Sequence, residues 1–125
     1  MYVAEQTPPR PTELPGIAHV TWAGIDDGLE QLSVWRQSMA PGTATPPHVH
    51  DCDEVVFCLG GSGELHIDGQ ALRIDASSVL RLPGGRPHQI FNTGSVPLET
   101  LAVFARTPVP TRWPEGGELP LPWRS

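Results

Sequence analysis

Two histidines one residue apart, followed four residues later by a glutamate, form the densest group of metal-ligating side chains in this sequence: His48, His50 and Glu54. On an extended strand, side chains at i, i+2 and i+6 share one face. Two imidazoles and a carboxylate therefore converge, provided the backbone from His50 to Glu54 stays in register. A fourth donor is expected from elsewhere in the chain, and His88, just after the turn Pro83-Gly84-Gly85, is the candidate. Imidazole and carboxylate together suit Fe, Mn, Ni, Co or Zn as a divalent ion and do not choose among them. Three neutral imidazoles and one carboxylate leave such an ion with a single positive charge. A six-coordinate ion would keep two positions for water, dioxygen or a bidentate small molecule, and would act as a Lewis acid or an oxygen-activating centre.

Short strands must carry these groups. Fifteen prolines and thirteen glycines divide 125 residues, and no 3.6-residue apolar period persists for ten residues. Strands are expected over residues 17–23, 30–40, 54–59, 63–67, 70–74, 79–82, 88–92 and 97–106, with a two-residue hairpin turn at Asp68-Gly69. Asp26 to Ser33 has room for a helical turn or two. That pattern is all-β, an antiparallel sandwich or barrel. Residues 1–15 read as an extended Pro-rich arm, 16–106 as the barrel, and 107–125 as a Pro-rich tail. Trp113 and Trp123 are expected to pin the tail across a barrel face or a dimer interface.

Composition excludes several functions. The net charge is −6, and all eight basic residues are single, scattered arginines. No basic surface for nucleic acid is expected, and without lysine there is neither Schiff-base nor P-loop chemistry. No apolar run reaches the roughly 18 residues of a membrane span. If Cys52 and Cys58 share one strand they stand about 20 Å apart, too far for a disulfide. Free thiols and the lack of an apolar signal stretch lead to the expectation of a cytoplasmic protein.

Strand parity sketches the pocket wall. With Glu54 inward, Val56 and Cys58 turn inward as well. On the preceding strand Trp35, Gln37 and Met39 share a face, expected inward because it is bulkier and less charged; Arg36 inward would instead suit an anionic substrate. Ile90 is expected inward, while His66 is expected outward and His19 structural or exposed. Asn92 shares the parity of His88 and is expected to brace the turn or the surroundings of the ligands. The pocket expectation is thus Gln37, Met39, Val56, Cys58 and Ile90.

The spacing Gly42-x5-His48-x-His50-x3-Glu54-x6-Gly61 resembles the first motif of the cupin superfamily at every fixed position. Pro83-x-Gly85-x2-His88-x3-Asn92 resembles the second, except that Ser77-Ser78 stands where Gly-Asp is usual. The resemblance covers about residues 30 to 105. It implies a single jelly-roll β-barrel with one divalent transition metal held by His48, His50, Glu54 and His88. It also implies a small-molecule substrate and a homodimer, for which the Pro-rich arm could reach a neighbour's sheet edge. The implied activity is that of a metal-dependent enzyme on a small organic substrate, a dioxygenase and so an oxidoreductase being favoured. A sugar or small-acid isomerase, epimerase or lyase, and a non-catalytic ligand-binding cupin, are the alternatives.

Overall fold

The computed structural model describes residues 2–124. Met1 and Ser125, the outermost residues of the expected arm and tail, lie outside them. Among the described residues, eleven strands follow one another, with one 3-10 turn over Ile25–Asp27: β1 (Arg10–Pro11), β2 (Ile17–Ala23), β3 (Ser33–Met39), β4 (Val49–His50), β5 (Glu54–Gly60), β6 (Ser62–Ile67), β7 (Gln70–Asp75), β8 (Val79–Leu82), β9 (His88–Asn92), β10 (Leu98–Phe104) and β11 (Thr111–Arg112). The chain is all-β, as its turn-rich pattern predicts. Among the described residues, no helix is long and apolar enough to cross a membrane.

One wall of the barrel is a six-stranded sheet in the order β1-β2-β3-β10-β5-β8. The other is built from β7-β6-β9 and the pair β11-β4, tied together by antiparallel bridges at Ala44–Phe91 and His48–His88. The β6–β7 hairpin closes through Asp68 (φ 54°) and Gly69 (φ 73°), the two successive left-handed residues that a tight hairpin turn demands.

Alternation along the strands fills the space between the walls. On β10, Leu98, Thr100, Ala102 and Phe104 are buried while Glu99, Leu101 and Val103 are only half covered. Phe104, Met39, Leu98, Val49 and Val56 are almost wholly buried, each stabilising the barrel by about 1.5–3 kcal/mol through apolar surface removed from water. The arm and tail are stitched to the barrel by short pairings: β1 to β2, with Arg10 opposite His19, and β11 to β4, with Thr111 opposite His50. Cys52 and Cys58 are both free and buried.

Candidate metal centre

His48, His50 and His88 come together at one point in the barrel, with one ligand atom from each lying within 4.8 Å of the others. Their convergence differs in one respect from the strand expectation. The strand stops at His50, the chain bends through 51–53, and Glu54 opens a new strand, β5. His50 and Glu54 are therefore neighbours across a corner, not along one face. His88 is brought in by the antiparallel bridge to His48, in which each backbone N–H donates to the other's carbonyl at 3.0–3.1 Å.

Backbone oxygens fix the orientation of each imidazole. His48 Nδ1 is 2.7 Å from the Pro46 carbonyl, and His88 Nδ1 is 3.1 Å from that of Arg86. His50 Nδ1 lies 3.2 Å from the Pro110 carbonyl and 3.1 Å from Thr111 Oγ1. A carbonyl can only accept, so Nδ1 carries the proton in all three rings. In a neutral ring this leaves Nε2 as a bare lone pair, the arrangement in which metal-binding histidines are held by their surroundings. The rings are indeed neutral. Burial, reinforced by the neighbouring His88 and His50, pushes His48 from 6.5 down to about 3. Burial takes His50 to about 4 and also lowers His88.

Glu54 stands beside this group. Its Oε1 is 3.8 Å from His50 Nε2 and 3.6 Å from His88 Nε2. It is wholly buried, and burial raises its pKa from 4.5 to about 8. Among the described residues, neither Glu54 Oε1 nor His88 Nε2 has a hydrogen-bond partner. A buried polar atom left unpaired costs several kcal/mol. A cation between the bare nitrogens and this oxygen removes that cost, so the residues present fit a divalent metal ion.

A small cavity opens beside the imidazoles. Its volume is about 40 Å³, and His48, His50, Gln37, Trp35, Leu121 and Trp123 are among the residues lining it. Room of that size holds a few waters and no more. The tail forms its cover: Trp123 stacks on His19 at 3.9 Å between ring centroids and meets Trp35 edge-on at 5.4 Å. The indole N–H groups of Trp35 and Trp123 are buried without an acceptor among the described residues. His19 is buried and structural, with its nitrogens 2.8 Å from Thr21 Oγ1 and 2.9 Å from Gln37 Nε2.

The other residues singled out from the sequence fall in several places. Gln37 lines the cavity, whereas Arg36 turns outward to pair with Glu99 at 3.1 Å. Met39, Val56, Cys58 and Ile90 face inward but pack into the hydrophobic core rather than line the cavity. Parity settles which side of a strand a residue faces, not how deep along the barrel it sits; Met39 lies about 7 Å further along β3 than Gln37. Burial pushes the Cys58 and Cys52 thiols above their ordinary value, so neither is activated as a thiolate. Asn92 braces the turn before β10, donating to the Met39 and Val96 carbonyls at 2.9 Å and accepting from the Gly94 N–H at 2.9 Å. The supports of the imidazoles are instead the carbonyls of Pro46, Arg86 and Pro110, with Thr111. Backbone acceptors leave no trace in residue type, and Thr111 lies 61 positions from the ring it supports. His66 is outward, paired with Glu64 at 3.0 Å on a half-exposed surface. Trp113 is exposed.

A small antiparallel barrel enclosing a three-histidine cluster defines a class: metal-site β-barrels of the jelly-roll kind. Residues 35–104 match the cupin domain family, and the chain belongs to it. The chain is 36% identical over 105 residues to auxin-binding protein 1 of Arabidopsis thaliana, a match covering 76% of this chain and 53% of that protein. It is 36% identical over 70 residues to an oxalate-binding protein of Thermotoga maritima, covering 55% and 58% respectively. The chain thus spans little more than half the length of these relatives. Among solved structures, one described as a predicted oxalate decarboxylase from Thermotoga maritima superposes with a TM-score of 0.70 at 27% identity, covering 80% of this chain and 92% of that one.

Proposed function

We propose that this cupin binds a small organic acid at a divalent metal held by His48, His50, His88 and Glu54. The metal would supply Lewis acidity and an anchoring charge for the carboxylate. The chain's own residues supply the rest. Trp35, Trp123, Ile17 and Leu121 offer apolar surface to the body of the ligand, and Gln37 and Thr111 offer polar edges. The observation that carries this reading is the cavity wall itself: imidazoles on one side, and on the other two aromatic rings whose buried N–H donors have no acceptor. An acid with an oxygen beyond the metal would give them one. The relatives support the same class, since auxin and oxalate are both carboxylic acids. The cavity is too small for such a ligand with the tail closed, so entry requires the Leu119–Trp123 segment to move. Two unbridged, buried thiols support a reducing compartment.

Dioxygenase turnover at the same centre is supported by its neutral nitrogen donors and apolar wall, and it can be tested alongside. The metal-loaded protein and a His50→Ala variant would each be titrated with oxalate and with auxin (indole-3-acetate), following tryptophan fluorescence. His50→Ala should retain the barrel by circular dichroism but lose the metal by elemental analysis. Binding by the loaded protein alone is the expected result. Equal binding by both proteins, or full metal occupancy in His50→Ala, would overturn the reading. Oxygen uptake by the iron-loaded protein that depends on either acid would turn a binding module into an oxidoreductase.

A further inference from the structure

The ring of His19 decides which end of Gln37 the cavity meets. Gln37 Nε2 is 2.9 Å from His19 Nδ1, and His19 Nε2 is 2.8 Å from Thr21 Oγ1. An amide nitrogen donates and cannot accept, so Nδ1 receives this bond as a bare lone pair. Burial keeps the ring neutral by lowering its pKa to about 4. Its one N–H is therefore on Nε2 and goes to the Thr21 hydroxyl. The ring is also clamped, stacked on Trp123 at 3.9 Å and edge-on to Trp35 at 5.2 Å between centroids. The NH2 and the C=O of an amide sit on opposite sides of one carbon. With Nε2 turned to His19, Oε1 is the atom that Gln37 has left for the cavity it lines.

A donor stands beside this acceptor. Trp35 and Gln37 are two positions apart on β3 and both line the cavity. Residues so spaced share a strand face, with Cα atoms about 7 Å apart. Trp35 is 5% exposed, and its indole N–H has no acceptor among the described residues. An acceptor and a donor at that separation can both reach one ligand atom between them, at about 3 Å from each.

Few ligand groups answer both. A carboxylate or a keto oxygen only accepts; it would satisfy the indole and leave Oε1 facing another lone pair. An ammonium group only donates and would leave the indole unpaired. A hydroxyl does both at once. We propose that the acid taken by this site is a hydroxy acid, its carboxylate on the metal and its hydroxyl between Trp35 Nε1 and Gln37 Oε1, with Gln37 as the residue that selects it. This rests on the acid-binding reading above and narrows its substrate class. Gln37 selects because its orientation is not free: turning the amide over would set its N–H2 against a hydroxyl lone pair, and would require His19 to move its own proton from Nε2 to Nδ1.

The test titrates the Mn(II)-loaded full chain by calorimetry with L-lactate, D-lactate, propionate and pyruvate. These share one carbon skeleton and differ at C2, which carries a hydroxyl of either hand, two hydrogens or a keto oxygen. One lactate should bind about tenfold or more tightly than propionate and pyruvate, since each of the others leaves a buried polar atom unpaired. A hydroxyl can also favour lactate simply by chelating the metal, so the deciding readout is the lactate-to-propionate affinity ratio in Gln37→Met. That variant keeps the length of the side chain and removes the acceptor, and the ratio should fall about fivefold or more. Circular dichroism checks the barrel. If Gln37→Met does not keep it, Trp35→Phe, which retains a ring and removes the N–H, should show the same fall. A ratio unchanged in the folded variant would overturn the proposal in favour of chelation alone. Equal binding of lactate and propionate by the wild type would overturn it and leave acid binding at the metal standing. A preference for pyruvate would mean that the amide offers its N–H instead, and would overturn it as well. Loaded protein that binds none of the four acids would overturn both this proposal and the reading beneath it.

Discussion

Metal loading should release one proton, and that proton should come from Glu54. In the metal-free protein, burial raises the Glu54 pKa to about 8, while His48 and His50 lie at about 3 and 4 and His88 is lowered as well. At pH 7 a carboxyl of pKa about 8 is ~90% protonated, whereas imidazoles of pKa 3 to 4 are ~0.1% protonated or less. A cation coordinated by the carboxylate and three Nε2 atoms must displace the Glu54 proton and nothing from the rings. Proton release is therefore about 0.9 per ion at pH 7, close to 1 at pH 6 and about 0.1 at pH 9. Affinity should rise nearly tenfold per pH unit from 5 to 7 and level off above 8. Calorimetric titration of the metal-free protein with Mn(II) or Ni(II), in buffers of different ionisation enthalpy, measures the release directly. Zinc is the poorer probe because its bound water ionises near neutrality. Glu54→Gln should bind more weakly, release no proton and show affinity flat from pH 6 to 9. Release near zero in the wild type at pH 7 would refute the reasoning about Glu54. Release of two or three protons would refute the neutral, backbone-held imidazoles.

Two further outcomes follow from packing and burial. His19, held by burial at about 4 against an ordinary 6.5, makes the metal-free protein acid-sensitive. The unfolded chain takes up a proton between pH 6.5 and 4 that the folded one refuses, so this contribution to stability is complete above 6.5 and is lost as pH falls towards 4. His19→Phe keeps a ring against Trp123 and should lose about 1–2 kcal/mol less than wild type between pH 7 and 5 in denaturant titrations; identical pH slopes would contradict this. Gly63 lies where β6 passes β9, and a Cβ there would collide with the Phe91 carbonyl oxygen. Gly63→Ala should cost about 2 kcal/mol or more, read from the denaturation midpoint, because the obstacle is backbone and cannot rotate away.

Much of the site was legible in residue type and spacing. The His48-x-His50 pair, Glu54 and the distant His88 announce ligand chemistry, and the glycines and prolines around them mark where strands must end. Of the expected strands, 17–23, 79–82 and 88–92 agree with β2, β8 and β9 to the residue. Alternation also put Trp35, Gln37 and Met39 on the inner face. These are local properties: a side chain's donor atoms, a two-residue period and a left-handed turn position are all written within a few residues.

Three things were decided only by the tertiary structure, because each joins residues far apart in the chain. Glu54 reaches His50 around a corner rather than along a strand. The rings are held by the carbonyls of Pro46, Arg86 and Pro110, and every residue type offers that acceptor alike. The depth of each inward residue along the barrel separates Gln37, at the cavity, from Met39, Val56, Cys58 and Ile90 in the core. The tail shows the same division. Trp123 reads from sequence as an anchor, but its stacking on His19, 104 positions earlier, exists only once the barrel closes and the chain returns across its mouth. The sequence by itself determined which atoms can bind a metal. Long-range packing, which sets distance and burial, decided that their nitrogens stand bare, their carboxyl is kept from water, and a cavity of a few waters lies beside them.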